Sequence, residues 1–425
     1  MEGIQPDNVV VAIDIGASKV EIAVADISVP KQIDVIGIGK VPSMGVVDGC
    51  IQDIESAVES IRRAVQEASE TSGCPITHVT AAFTGKNLHC VNKIGKLVLS
   101  GDEITREDVA AATKLAMVFD PKIHDADTDP ALKHESDTVV MHSVKGYTID
   151  DDDTMIGDPV GMAGTVLKAH VHLAIGSDSI AVNLAKCVRK AGLDLDGVVM
   201  QPWASAESCL TPTEKELGVI LIDFGDGAAD IACYRGNQIQ YTAVAPMGGR
   251  YLSRDIASGI GCTLDAAEEI KLAYGHLDDR PDDVFTQIRY THDATGTERV
   301  ITAREIVGII KPRAQEIIEQ IARIHLLRDN WLGRAAAGVV ITGGMAKMPG
   351  FDAMIRKTYG LPVRIGEPLR VRSTRFSLTD PEDATVMGVL AQIQKQREIG
   401  EHQIERSRSG IMGFLRGLIY GDFSD

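Results

Sequence analysis

The sequence predicts an α/β protein in which one domain plan is written twice around a cleft, with a separate subdomain inserted between the copies. Three observations carry this. A run of three β-rich segments followed by a helix signal occurs near the start and returns about 209 residues later. The first strand of each run ends in Asp-x-Gly, as Asp14-Ile15-Gly16 and as Asp223-Phe224-Gly225. At 425 residues the chain has the length of two or more domains of about 150 residues each.

In the first copy the strands are read at 9–15, 20–25 and 33–39. A helix over 51–69 follows from the spacing of Ile51, Ile54, Val58, Ile61 and Val65, which share one face. In the second copy the strands are 219–224, 231–234 and 239–245, and the helix 251–260. Met44-Gly45 and Met247-Gly248 make equivalent turns before the two helices. Chance Asp-x-Gly pairs are common, so the shared order of strands, turn and helix is what argues for duplication. Residues 85–168 fit neither copy and carry their own helix signal over 105–117, with Thr105 as N-cap and Asp108 at the capping-box position. Acidic stretches at 120–137 and 150–153 read as solvated loops. In the first of these, Asp125, Asp127 and Asp129 have the spacing of a calcium loop. Pro130 stands where that loop needs Gly and Ser136 where it needs a bidentate Glu, which argues against a metal.

Composition narrows the function classes. With 44% hydrophobic and 24% charged residues the chain is globular rather than disordered. Its 43 Lys and Arg against 60 Asp and Glu give a net charge of −17, which repels a nucleic-acid backbone, so no nucleic-acid partner is expected. No run of about 18 apolar residues and no signal-like segment in residues 1–8 is present, which predicts a chain neither secreted nor membrane-spanning. The seven cysteines stand singly without a C-x-x-C pair, which suits a reducing compartment and argues against zinc.

The chemistry-bearing residues sit at the strand ends. In Asp14-Ile15-Gly16-Ala17-Ser18-Lys19 the glycine lets the backbone turn so that successive N–H groups face a phosphate; Ser18 and Lys19 add a hydroxyl and a cation. Asp14 is placed to hold a hydrated Mg²⁺. Alone, this hexapeptide reads equally as a tight hairpin with a capping Asp. The second hairpin, Asp223-Phe224-Gly225-Asp226-Gly227-Ala228-Ala229-Asp230, repeats the device. Facing each other, the two would grip a polyphosphate from both sides, with Asp14 and Asp223 sharing one hydrated cation. A third element, Val339-Val340-Ile341-Thr342-Gly343-Gly344-Met345-Ala346, ends an apolar strand in two glycines that let a base or ribose lie on the backbone.

This order, together with Gln201-Pro202-Trp203-Ala204-Ser205-Ala206 and Ala384-Thr385-Val386-Met387-Gly388, resembles the actin, Hsp70 and sugar-kinase superfamily of ATP-binding folds. Within it the chain looks most like the FtsA family of bacterial actin-like division proteins. The supporting stretches are Phe83-Thr84-Gly85-Lys86-Asn87, Ile104-Thr105-Arg106-Glu107-Asp108-Val109, Asp158-Pro159-Val160-Gly161-Met162, Lys168-Ala169-His170-Val171-His172-Leu173 and Val363-Arg364-Ile365-Gly366. The resemblance implies an actin-like fold. Its first domain (subdomain 1A) is 8–84 with 169–206 and 372–396, and subdomain 1C is inserted at 85–168. Subdomain 2A is 207–245 with 328–371, subdomain 2B is 246–327, a flexible linker covers 397–409 and a membrane-targeting helix covers 410–425. It implies ATP and Mg²⁺ as ligands. Asp14, Gly16, Ala17, Ser18 and Lys19 correspond to the first phosphate loop, and Asp223, Gly225, Asp226, Gly227 and Ala228 to the second. Gly343, Gly344 and Met345 belong to the adenosine site, and Glu268 and Lys271 to ribose and adenine contacts. By spacing alone, Glu268 and Lys271 read as an exposed i,i+3 charge pair on a helix. Asp226 and Ala228-Ala229 depart from the family's second loop, Asp-x-Gly-Gly-Gly-Thr, and remove a hydroxyl contact to phosphate. Gln201 stands where relatives often carry Glu; it can orient an attacking water but is a poor base, so slow hydrolysis at most is expected.

The last residues give an independent signal. Ile411, Phe414, Leu415, Leu418 and Ile419 make one apolar helical face with Met412 beside it, and Arg406, Arg408 and Arg416 are the nearby cations. A dozen residues are too few to span a bilayer and suit its interface. The competing reading is a helix docked on the chain's own core. The polar linker and the local positive charge favour an anionic lipid surface, each Arg near it contributing about 1 kcal/mol. With the family resemblance this implies a peripheral protein on the cytoplasmic face of the bacterial inner membrane at the division site. Its expected partners are itself, as a filament, FtsZ through 2B and other division proteins through 1C. Pilus-assembly adaptors and metabolic kinases share the superfamily motifs; the tail favours FtsA over both.

Overall fold

The computed structural model of the chain describes residues 8–404 apart from Asn87, 119–136 and Arg328. The calcium-loop spacing of Asp125 to Asp129, most of the acidic stretch 120–137, and the apolar tail with Arg406, Arg408 and Arg416 lie outside the described residues.

The duplication is present at the level of hydrogen bonds. In the first domain the strands Val9–Ile15, Lys19–Asp26 and Ile33–Pro42 form an antiparallel meander, extended on the other side of Val9–Ile15 by the parallel strands His78–Phe83 and Asp194–Met200. In the second, Val219–Phe224, Ala229–Arg235 and Gln238–Ala245 repeat the meander, extended in the same sense by Val339–Thr342 and Val363–Ile365. Each first turn closes identically: the Gly16 amide donates to the Lys19 carbonyl at 2.9 Å, and the Gly225 amide donates to the Ala228 carbonyl at 2.9 Å. The first strands are buried because apolar residues run through them without alternation, as expected where helices cover both faces of a sheet.

The helices differ in detail from the sequence reading. The first long helix is Ile54–Ser72 rather than 51–69, because the Asp53 carboxylate accepts from the amides of Glu55 and Ser56 and fixes the start there. Ile51 instead belongs to the short strand Cys50–Ile51, paired with Val46–Val47. Gly73, at φ 70°, ends the helix in the left-handed conformation that favours glycine. In the second copy the helix is Gly249–Ile260; its first amides are satisfied by the hairpin itself, Gly249 donating to the Gly225 carbonyl at 3.0 Å and Arg250 to that of Asp226 at 2.9 Å.

The insert is a three-stranded antiparallel sheet, His89–Val98, Val166–Ser177 and Asp137–Ile149, with the helix Arg106–Ala116 on one face. That helix begins at Thr105 with the expected capping box to Asp108. The boundary at 168 falls inside the strand Val166–Ser177: its pairing with His89–Val98 continues residue by residue from Val166 to Ile175, and its pairing with Asp137–Ile149 reaches Ser177, so the sheet of the insert runs on to Ser177. Similarly, the linker expected from 397 is helical as far as Ile404, within Ala384–Ile404. Gln392, Lys395, Gln396, Arg397 and Glu398 have no apolar face, but they are good helix formers and continue a helix already nucleated in the core.

Two features tie the parts together. Helix Ala384–Ile404 crosses helix Gln201–Cys209 at Gly388, where a Cβ would stand 1.9 Å from the Ala204 carbonyl oxygen. At the junction of both domains with the insert, the Trp203 indole N–H donates to the Thr242 hydroxyl at 2.9 Å. His172, whose Nε2 is 2.9 Å from that hydroxyl, has its Nδ1 2.9 Å from the Asn92 side-chain oxygen. The Asn92 amide in turn donates to the Gln240 carbonyl at 2.8 Å. Burial, with Lys145 adding to it, holds His172 down at about 3, so the ring is neutral; the Thr242 hydroxyl then donates to Nε2 and Nδ1–H donates to Asn92.

Candidate functional site

The cavity between the two sheets has a volume of about 570 Å³. It is lined by both hairpins, the Gly343-Gly344-Met345 turn and the helix Leu264–Tyr274. All the residues expected in the cleft line it: Asp14, Gly16, Ala17, Ser18, Lys19, Gln201, Asp223, Gly225, Asp226, Gly227, Ala228, Glu268, Lys271, Gly343, Gly344 and Met345. The hairpins approach so closely that a Cβ on Gly227 would be 3.0 Å from the Ala17 side chain. Gly343, at φ 82°, leaves no room for a Cβ, which would stand 2.3 Å from the Asp223 carboxylate.

One helix spans the two acidic strand ends. Asp194–Met200 leads directly into Gln201–Cys209, with Pro202 in its first turn. The Gln201 amide donates to Asp14 at 2.6 Å, and one turn on the Ser205 hydroxyl donates to Asp223 at 2.6 Å. Thr385, at the start of the C-terminal helix, donates to the same Asp223 oxygen at 3.1 Å. Burial pushes the Asp14 carboxyl up to about 6; Lys19 opposes this and Asp223 adds to it. Burial also raises Asp223, against the hydrogen bonds from Ser205 and Thr385. Asp230 is raised well above the carboxylate range by burial and by Asp223, although the Thr84 hydroxyl donates to it at 2.5 Å.

Lys19 is engaged by its own domain. Its ammonium pairs with the buried Glu21, donates to the Glu382 carbonyl at 2.8 Å and lies 3.2 Å from Asp383. Burial alone would lower its pKa, but Glu21 and Asp383 hold it above the usual lysine value. Burial raises Glu21 to about 8 against the pull of Lys19. Glu268 and Lys271 are not the exposed pair that spacing alone suggested: Lys271 is buried, lies 2.8 Å from Glu268 and donates to the Gly249 carbonyl at 3.2 Å. Beside them Leu272, exposed into the cavity, offers an apolar surface on which a flat ring can lie.

Sequence reasoning did not assign cleft roles to Lys40, Thr84, Asp230, Lys347, Glu382 or Thr385, all of which line the cavity. Asp230 carried a signal, since it closes the second hairpin. Lys40 and Lys347 carried none; both come to the cleft by pairing with Glu382, more than thirty residues away from either.

The donor set fits a hydrated divalent cation with a polyphosphate. Two buried carboxylates, Asp14 and Asp223, stand at the ends of matched glycine turns, and the Asp48 Oδ1 atom beside Gly227 is buried without a hydrogen-bond partner. Among the described residues no cluster of three or more His, Cys, Asp or Glu side chains forms a metal cage.

Comparison with known proteins gives the family and the fold. The model of the cell division protein FtsA matches residues 220–388, and that of the SHS2 domain inserted in FTSA matches 85–175. The cell division protein FtsA of Neisseria meningitidis serogroup B is 30% identical over 427 residues, covering 99% of this chain and 100% of that protein. The chain belongs to the FtsA family of cell division proteins. The FtsA of Pseudomonas aeruginosa is 31% identical, with 94% of this chain and 92% of that one covered. Among solved structures, the PilM-PilN type IV pilus biogenesis complex has a TM-score of 0.61 at 16% identity, over 91% of this chain and 98% of that one. MreB5 of Spiroplasma citri bound to ADP has a TM-score of 0.51 at 15% identity, over 92% and 98%. These similarities establish the actin-like fold, with the family's insertion domain. No described helix is long and apolar enough to cross a membrane.

Proposed function

We propose that the chain is an ATP-binding, membrane-associated adaptor of cell division that polymerises and tethers FtsZ filaments to the membrane. The observation that carries the nucleotide part is the pair of identical glycine turns, at Gly16 and Gly225, facing each other with Asp14 and Asp223 behind them. In this reading the amides of the two turns and Ser18 bind the phosphates. Asp14 and Asp223 orient the water shell of Mg²⁺, which when bound neutralises phosphate charge. Gly343, Gly344, Met345, Glu268, Lys271 and Leu272 take the nucleoside. Gln201 is held by Asp14 and lacks the basicity to activate water, which supports slow hydrolysis and a nucleotide that acts as an assembly switch.

The membrane and partner roles rest on the family and on the sequence of residues 410–425, and the FtsZ contact on subdomain 2B, about 246–327. Isothermal titration with Mg-ATP tests the cleft: Asp223→Ala and Gly344→Asp should abolish binding, and unchanged affinity would remove the assignment. Vesicle co-sedimentation of the full chain against a version ending at Ser409 tests the tail, with equal pelleting counting against it. Recruitment of FtsZ filaments to vesicles by the full chain only tests the tether.

A further inference from the structure

A second cavity, of about 1000 Å³, lies where the first domain, the second domain, the insert and the C-terminal helix meet. Its floor is apolar around Trp203 and the buried Ile239, and its rim is cationic. Six cations line it, Lys31, Lys145, Lys215, Arg370, Arg372 and Lys395, against two acids, Glu207 and Glu398. Glu207 is buried and already satisfied: Lys215 lies 2.8 Å from it, Arg370 2.9 Å and Lys395 3.4 Å. Of the other cations, Arg372 lies 3.6 Å from Asp34, which does not itself line the groove. Arg372 and Lys395 keep more than half of their side-chain surface exposed, and Lys31 holds a left-handed backbone conformation at φ 62°. In a chain of net charge −17, such a concentration of cations in a concave site marks an anion-binding surface.

The C-terminal helix indicates which anion. Ala391, Lys395 and Glu398 of Ala384–Ile404 form one wall of the groove. From Lys395 to Ile404 the helix rises only about 14 Å. Beyond Ile404 the sequence carries the apolar stripe Ile411 to Ile419 with its arginines. A lipid surface that receives this stripe therefore comes within reach of the groove's rim. We propose that the groove takes the phosphate headgroup of an anionic phospholipid, with the cations on the phosphate, as a second membrane contact that fixes the orientation of the body. This rests on the reading of residues 410–425 as the primary membrane anchor.

The test is co-sedimentation of the full-length chain with vesicles of phosphatidylcholine containing increasing phosphatidylglycerol. The triple variant Lys31→Gln, Arg372→Gln, Lys395→Gln leaves Lys215 and Arg370 on Glu207. With each removed cation contributing about 1 kcal/mol, partitioning onto phosphatidylglycerol-rich vesicles should fall about a hundredfold, with binding to pure phosphatidylcholine unchanged. The single variant Arg372→Gln, at an exposed position, should lose about fivefold and covers the case of a misfolded triple variant. An undiminished dependence on phosphatidylglycerol in both variants overturns the proposal. So does binding of a polyglutamate peptide that the triple variant loses while its vesicle binding is intact, which would make the groove a peptide site. If the chain ending at Ser409 pellets as well as the full chain, the anchor reading fails on its own; if only the groove variants are indistinguishable from wild type, the groove fails and the anchor stands.

Discussion

Lowering the pH from about 8 to 5 should weaken Mg-nucleotide binding about tenfold, and Asp14 is the group responsible. Its carboxyl is raised from 3.8 to about 6, with burial as the first cause. The cation needs the ionised form, so affinity rises with pH through about 6 and levels off above 7; at pH 5 only about one site in eleven is ionised, which is the tenfold loss. The same shift has a consequence for the empty protein. A folded-state carboxyl titrating above its unfolded value binds more protons than the unfolded chain between 3.8 and about 6, so stability falls as pH rises through that window. Above it Asp14 costs about 3 kcal/mol. Asp14→Asn keeps an oxygen for the Gln201 amide and removes the charge. The variant should therefore bind Mg-nucleotide weakly, with the Asp14 share of the pH dependence gone; titration of the ligand itself is common to both chains and cancels in the comparison. Without ligand the variant should melt higher than wild type at pH 8. Isothermal titration and thermal unfolding at fixed ionic strength read both. An Asp14→Asn chain that keeps the wild-type pH profile, or melts lower at pH 8, would refute the assignment.

Gly388→Ala should cost about 3 kcal/mol in urea unfolding, because the new methyl meets the Ala204 carbonyl at 1.9 Å where two helices cross. Gly95→Val drives a side chain into the Ala112 carbonyl, 2.1 Å from the Cβ position; amide exchange should accelerate in the insert strands His89–Val98 and Val166–Ser177 while nucleotide affinity is unchanged. Lys271→Met should weaken nucleotide binding about tenfold through the nucleoside end of the cleft, with the Mg²⁺ dependence retained. A Lys271→Met chain whose Mg²⁺ dependence changes instead would move that lysine to the phosphate end.

The duplicated sheets were legible because both copies place an apolar strand before Asp-x-Gly, and a local pattern is enough to fix a turn such as Gly16 to Lys19. The glycine residues of the cleft were legible for the same reason. What sequence could not show is pairing across long separations: Thr84 meets Asp230, and Lys19 and Lys40 meet Asp383, from segments more than a hundred residues apart. The end of the insert was misjudged because the motif Lys168 to Leu173 lies in the middle of a strand whose pairing with His89–Val98 continues through it without a break. The helical extension to Ile404 was missed because periodicity reports burial, and a polar helix that follows a buried one has none to report.

The junction formed by Trp203, Thr242, His172 and Asn92 runs in one direction, each group donating to the next until the Gln240 carbonyl closes it. A single hydroxyl with one proton serves both domains and the insert. Any swing of one half against the other must snap a link in that relay, leaving a buried polar group stranded at a cost of about 1–3 kcal/mol. Intermediate angles keep that cost without recovering a partner. The junction is therefore a catch with a seated position, and a swing between the halves would proceed by release and reseating rather than by continuous drift.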